Sequence, residues 1–242
     1  MKNYISGLLK KFGYEIQRHS SVSQSVKEPF YHFRDLIKED QPIIFDVGAY
    51  VGDTVEQFKF SFPESRIHAF EPFDESFEVM KNRFQKTDSI ILNNVGIVDS
   101  EKKAGSLYVT KNDGSSSLLK PKKSANKFWV GNPLLIQKKV EIRVNTIDKY
   151  CKEHKIHKID ILKIDVQGNE IKVLEGASHM LGRKNIKLIF TEISIAPSYR
   201  YQSEIDEIIS LLRTKGYRIF NFFKMKHFKG KLIECDVLFY AD

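Results

Sequence analysis

The sequence predicts an α/β fold of the doubly wound kind, a mainly parallel sheet with helices on both faces and a C-terminal antiparallel hairpin. Three observations carry that expectation. From Pro42 onward, short continuous apolar runs alternate with amphipathic stretches, as buried parallel strands alternate with crossover helices. Several runs end in an acid, at Asp46, Glu71, Asp165 and Glu192, and acids at strand ends are common beside ligands. The last two runs, "YRIFNFF" and "IECDVLFYA", are joined by a short connection containing Gly230, which predicts a hairpin.

The elements follow in order. The first forty residues stand outside the alternation and read as an N-terminal helical extension; residues 41–242 read as one domain. "PIIFDV" is the first strand, and "TVEQFKFSF" has helical spacing. "RIHAFEP" is a strand stopped by Pro72. "DESFEVMKNRF" opens with Asp74 as N-cap and sets Phe77, Met80 and Phe84 on one face. "SIILNNVGIV" reads as a third strand. The rhythm then breaks over about 104–146. "GSLYVT" and "VEIRVNTI" alternate with period two, as inserted half-exposed strands do, and the lysine-rich stretch between them predicts a long mobile loop. The alternation resumes with a short helix at "IDKYCKEHKI", a strand at "DILKIDV" and a helix at "NEIKVLEGASHML" ending near Gly182. "IKLIFTEI" is a strand, and "SEIDEIISLLRTKG" an amphipathic helix with Gly216 as its C-cap.

Composition narrows the function classes. The 242 residues suit one substantial domain, and 41% hydrophobic residues supply an ordinary core. No apolar run is long enough to span a bilayer, and "MKNYISGLLKKFGYEIQRHS" lacks the pattern of a secretory signal, so a cytoplasmic location is expected. Cys151 and Cys235 fit no metal-ligand spacing and read as buried, idle thiols. The net charge of +8 favours an anionic partner. Its excess gathers in "LLKPKKSANK" and "FFKMKHFKGK", which read as solvated loops and resemble no nucleic-acid module. An anionic small-molecule or glycan acceptor and a peripheral membrane contact stay open; nucleic acid is disfavoured, and oligomeric state is not specified.

The glycine turn "FDVGAYVGDT" poses the question of ligand. A dinucleotide fingerprint needs small residues where Tyr50 and Asp53 stand: tyrosine would crowd a pyrophosphate, and the carboxylate would repel it. No P-loop is present. Glu71 lies 23 residues after Gly48, at the end of the second strand, where a carboxylate accepts hydrogen bonds from ribose hydroxyls. A nucleoside without phosphate and with a cationic tail fits, and S-adenosylmethionine (SAM) is such a molecule. Its expected contacts are Asp46, Gly48, Ala49, Tyr50, Gly52, Asp53, Thr54 and Glu71, with Asn94 and Val95 beside the adenine.

In order, "DVGAYVGDT", "RIHAFEP", "NNVGIVD", "TIDKY", "ILKIDVQGNEIKVLEGA" and "IFTEI" resemble the motifs of the FkbM-like SAM-dependent methyltransferases, over about 42–194. The resemblance implies the class I (Rossmann-like) methyltransferase fold and methyl transfer to a hydroxyl oxygen of a sugar, glycan or glycosylated natural product. The family more often has Asn at the place of Tyr50 and Glu at the place of Gln167. In-line transfer to an alcohol needs an aligned hydroxyl and a base. Asp165 is expected in that role, with Glu192 and Glu170 shaping the pocket. Asp165 and Glu192 are also the oxygen pair that could hold a divalent metal. "SIAPSYRYQ", with Tyr199, Arg200 and Tyr201, is expected to cover the acceptor, with "DGSSSL", including Ser117, closing from the other side. A non-catalytic SAM- or nucleoside-binding module on the same fold is the alternative.

Overall fold

The computed structural model describes residues 28–100, 104–129 and 131–242. Seven strands form one sheet: β1 (Ile43–Val47), β2 (Arg66–Phe70), β3 (Ile90–Asn93), β7 (Ile159–Ile164), β8 (Ile186–Ser194), β9 (Tyr217–Phe228) and β10 (Lys231–Ala241). Their order is β3-β2-β1-β7-β8-β10-β9. All neighbours run parallel except β10, which is antiparallel to both β8 and β9. This is the mainly parallel, doubly wound architecture expected from the sequence, closing hairpin included. The strand order reverses between β1 and β7, so their carboxyl ends open a crevice there.

The central strands are apolar because both faces are covered. Every residue of β7 is buried, and Ile44, Phe45 and Val47 of β1 are buried to within 1%. The helices α2 (Asp53–Ser61) and α3 (Asp74–Phe84) follow β1 and β2 and bury Val55, Phe58 and Met80. Phe77 and Phe84 join Met80 against the same core, as the helical spacing predicts. Asp74, however, is the first helical residue after an extended Phe73, and its side chain makes no capping bond. Its charge still lies in the first turn, where the helix dipole favours an anion. An earlier helix, α1 (Pro29–Leu36), packs Phe33 fully into that core against Phe58 and Phe190. Each such phenyl ring contributes roughly 1.5–3 kcal/mol by burial, so residues 28–40 are held to the domain. Residues 1–27 of the expected N-terminal extension lie outside the described residues.

Three elements differ from the sequence reading. The third apolar run divides at Asn94–Val95 into β3 and a short β4 (Gly96–Ile97), which leaves the main sheet. There β4 pairs with β6 (Ile136–Asn145), which also pairs antiparallel with β5 (Ala104–Thr110), so the two strands of the expected insertion join β4 in a three-stranded sheet. The helix expected over 169–181 is two: α5 (Glu170–Glu175) and α6 (Ser178–Gly182), separated at Gly176. A Cβ at Gly176 would lie 2.1 Å from the Val98 carbonyl oxygen, so the chain bends where only glycine clears its neighbour. The expected mobile loop is instead folded onto the domain through two 3₁₀ turns, Asp113–Ser115 and Lys123–Lys127. Ser117, Pro121 and Ala125 are buried, and bridges Tyr108–Ser117 and Pro121–Tyr199 pin it. The remaining helices are α4 (Ile147–Glu153), capped by the Thr146 hydroxyl accepting from Lys149 N at 3.1 Å, and α7 (Ile205–Thr214), followed by Gly216 at φ +82°. Both cysteines are free and buried, as expected.

Candidate active site

A cavity of about 240 Å³ opens at the carboxyl ends of β1 and β7, beneath the small sheet. Gly48, Ala49, Tyr50, Asp53, Thr54, Glu71 and Val95 of the expected set line it, with Asp165 and Gln167 at its far wall. Leu107 and Leu118 of the insertion and Phe70 and Ile97 supply an apolar side. Glu71 sits just past β2, 7% exposed. Its Oε1 accepts from Phe73 N at 2.8 Å and its Oε2 from Tyr50 N at 3.0 Å. Each carboxylate oxygen keeps one further acceptor position. Burial outweighs these two donors and raises the Glu71 carboxyl to about 7. The group is therefore short of donors, which a ribose diol would supply.

Three residues of the expected set lie behind the cavity wall. Asp46 is fully buried, and burial raises its carboxyl, with Lys163 pulling against that. Lys163 Nζ lies 2.9 Å from Asp46 Oδ1, an ion-pair contact outside hydrogen-bond geometry, and donates to Gly48 O at 2.8 Å. Burial would lower the Lys163 ammonium, but Asp46, Asp165 and Glu192 outweigh it and raise it. Lys163 itself lines the cavity, so the cation matched to Asp46 belongs to the protein. Gly52 adopts φ +91° ahead of α2 and packs against Phe84. Asn94 turns its amide to the Glu71 and Pro72 carbonyls. Gly48 also has a different reason from close ligand approach. Its φ is +78°, and a Cβ there would lie 1.8 Å from the Asp165 carbonyl oxygen, so the residue just past β7 demands the glycine.

A second cavity of about 360 Å³ shares Tyr50, Gly114, Asp165 and Gln167 with the first. Beyond that shared wall it is lined by Trp129, Glu192, Tyr199, Lys226 and Glu234. Gln167, at φ +56°, stands at the junction. Its Nε2 donates to Asp165 Oδ1 at 2.9 Å and to Glu192 Oε1 at 2.7 Å. That amide orientation turns the NH₂ to Asp165 and Glu192 and leaves the amide oxygen to accept from the Tyr199 hydroxyl. The Tyr199 hydroxyl shares its hydrogen between Gln167 Oε1 at 3.0 Å and Ser115 O at 2.8 Å. Burial raises Glu192 well above the usual carboxylate range, and Asp165, Glu234 and Asp236 add to it. The oxygen pair expected for a metal is thus bridged by an amide nitrogen. Among the described residues no cluster of three or more His, Cys, Asp or Glu side chains has an arrangement that could hold a metal.

The acceptor-side expectations divide. Tyr199, 1% exposed, faces the second cavity, but Arg200 and Tyr201 point outward, Tyr201 being 94% exposed. Ser117 is buried and spends its hydroxyl on Gln167 O at 2.7 Å. Glu170 reaches neither cavity: its Oε1 accepts from Gly168 N at 2.8 Å and fastens the turn after β7. The "DGSSSL" stretch does close over the site, because the Tyr50 hydroxyl donates to Asp113 Oδ1 at 2.6 Å. Tyr50 holds φ +51°, where Asn or Gly would sit with less strain. Lys163, Trp129, Lys226 and Glu234 were not anticipated. A lysine inside the apolar run "ILKI" was the available signal for the first, since a charge inside a buried strand requires a partner.

A family model described as the methyltransferase FkbM domain matches residues 46–219. The chain belongs to that family. This FkbM-family chain is a SAM-dependent methyltransferase, and the donor-poor Glu71 beside a cavity without a phosphate cradle fits SAM. It is 23% identical over 210 residues, 81% of its length and 84% of the relative's, to the 2-O-methyltransferase NoeI of Sinorhizobium fredii (strain NBRC 101917 / NGR234). Solved structures with similar chains include a rRNA methylase from Streptococcus thermophilus, with 10% identity, TM-score 0.48, and coverage of 90% of this chain and 98% of that one. Another is M. capricolum TrmK in complex with S-adenosyl-homocysteine, with 10% identity, TM-score 0.48, and coverage of 90% and 71%. Among the described residues no helix is long and apolar enough to cross a membrane.

Proposed function

We propose that this methyltransferase transfers the methyl group of SAM to a hydroxyl oxygen of a sugar or similar polyol seated in the second cavity. The observation that carries the reading is the shared wall: Asp165 and Gln167 border both cavities, so a donor in one and an acceptor in the other meet there. Similarity to a protein named a 2-O-methyltransferase supports oxygen as the accepting atom. In this reading Glu71 holds the ribose hydroxyls, Tyr50, Asp53 and Thr54 line the nucleoside's side, and Val95, Phe70 and Leu107 sandwich the base. When bound, SAM supplies an electrophilic methyl on a sulfonium, displaced in line.

The remaining chemistry belongs to the chain. Asp165, its side chain 32% exposed at the junction, takes the hydroxyl proton. Glu192, held toward its protonated form, orients the acceptor rather than acting as base. Gln167 fixes both carboxyls at once, and Tyr199 fixes Gln167. Trp129 offers an indole face on which a sugar ring can lie, its Nε1 already spent on Ser198 Oγ at 3.0 Å.

The test is methyl transfer from labelled SAM to a panel of sugar, sugar-nucleotide and oligosaccharide acceptors. Asp165→Asn should lower kcat by about 10²–10⁴-fold with SAM affinity retained. Glu71→Gln should weaken SAM binding and abolish its dependence on pH near 7, where wild-type affinity rises as Glu71 ionises. Transfer to amines but to no hydroxyl, or full activity in Asp165→Asn, would overturn the reading.

A further inference from the structure

Two lysine-rich stretches far apart in the sequence are adjacent in the fold. The hairpin β9–β10 extends past β8, whose pairing with β10 stops at Ser194–Glu234. The overhanging tip carries Lys226, Lys229 and Lys231 above the carboxyl edge of the sheet. The folded insertion reaches it there: the Phe128 and Phe228 rings lie 6.0 Å apart, and Lys226 Nζ lies 5.9 Å from the Trp129 ring. The segment after β8 closes the ring, with Lys122 N donating to Ser198 O at 2.8 Å and Arg200 N to Lys120 O at 2.9 Å. Lys226 pairs with Glu234 and Lys224 with Asp236. Lys122, Lys123, Lys127, Lys229, Lys231 and Arg200 have no carboxylate partner among the described residues.

We propose that this collar docks the face of the protein around the second cavity onto an anionic lipid bilayer. The inference does not depend on the hydroxyl-transfer reading, because its readout is binding. Asp165, Glu192 and Glu234 line the cavity with one cation, Lys226, which Glu234 already pairs, while Lys127 and Arg200 flank the lining residues Trp129 and Tyr199 in sequence without lining the cavity themselves. An anion small enough to enter would meet those carboxylates, so the matching anion stays outside as a surface. The six cations named are five lysines and one arginine. Lysine is a flexible point charge suited to a diffuse anionic plane, whereas a built phosphate site favours the arginine fork. Tyr201, 94% exposed between Arg200 and the buried Gln202, gives the collar an aromatic side chain of the kind enriched at membrane–water interfaces.

The test is co-sedimentation of the full chain with vesicles of phosphatidylcholine, alone or with phosphatidylglycerol added. Binding should require phosphatidylglycerol and should fall sharply between about 0.1 M and about 1 M salt, as the screening length shrinks from ~10 to ~3 Å. The triple variant Lys123→Glu, Lys127→Glu, Lys229→Glu should lose on the order of a hundredfold in partition coefficient. A control triple at the opposite edge of the sheet, Lys86→Glu, Lys152→Glu, Lys215→Glu, makes the same change in net charge and should keep binding. If the first triple unfolds, Lys229→Ala with Lys231→Ala on the exposed tip tests the same point. No binding to the anionic vesicles, or equal loss in both triples, would overturn the proposal. So would tighter binding to a mixed-sequence oligonucleotide, lost in the same collar variant, which would reassign the collar to nucleic acid.

Discussion

Replacing Gln167 by glutamate changes one NH₂ group to oxygen at a point 2.9 Å from Asp165 and 2.7 Å from Glu192. Two like charges at about 4 Å repel by roughly 4 kcal/mol at an effective dielectric of about 20. Beside Asp165, and buried against a Glu192 already held toward its protonated form, the new carboxyl takes up a proton rather than bear the repulsion. Holding that proton sets a ceiling on the cost: against a reference value of about 4.3, it is about 5 kcal/mol near pH 8 and about 1 kcal/mol near pH 5. The protonated acid also donates one hydrogen bond where the amide donates two, which adds about 1–3 kcal/mol at every pH. Urea unfolding of Gln167→Glu should therefore show a loss that grows by up to about 1.4 kcal/mol per pH unit between those limits. Gln167→Met should show a loss without that slope. A pH-independent loss in Gln167→Glu would mean that the bridge is not formed as described.

Two further outcomes follow from buried charges. Lys163→Met should cost about 3–5 kcal/mol, because it strands the Asp46 carboxylate, and adding Asp46→Asn should recover much of that; additive losses in the denaturation double-mutant cycle would refute the pairing. Glu170 is 2% exposed, and burial raises its carboxyl to about 7. A raised acid stabilises the fold only while protonated, so its penalty grows as pH rises from about 4.5 to about 7, to about 3 kcal/mol. Glu170→Gln should thus be more stable, relative to wild type, near pH 8 than near pH 4.5; the same difference at both pH values would sink that account.

Periodicity made the main sheet legible, because strands buried on both faces must be apolar and their helices must be amphipathic. It could not show that the chain leaves the sheet at Asn94–Val95, since Gly96 and Ile97 remain apolar in their new pairing with β6. Nor could it show the bend at Gly176, which depends on the distant Val98 carbonyl. Glu71, Asp165 and Glu192 were readable because βα topology delivers strand ends to one edge. Glu170 was misplaced because it follows Asp165 closely in sequence while the Gly168 turn directs it inward. Trp129, Lys226 and Glu234 come from three separate segments, and only the folded insertion and hairpin bring them to one cavity.

The two cavities draw on different lengths of chain. The first takes most of its lining from the strands and turns between Val47 and Ile97, while the second relies on residues 112–134 and 192–234. In the proposed reading, substitutions at Trp129, Pro133, Leu134, Lys226 and Glu234, which line the second cavity alone, can reshape the acceptor's surroundings with less effect on donor affinity than changes at Leu107, Gly114 or Leu118. A fold built this way can diversify its substrates by drift in one portion of the gene while selection holds the other fixed. In the proposed reading, grafting the insertion and the hairpin together, rather than either alone, is the exchange that should move specificity from one such enzyme to another.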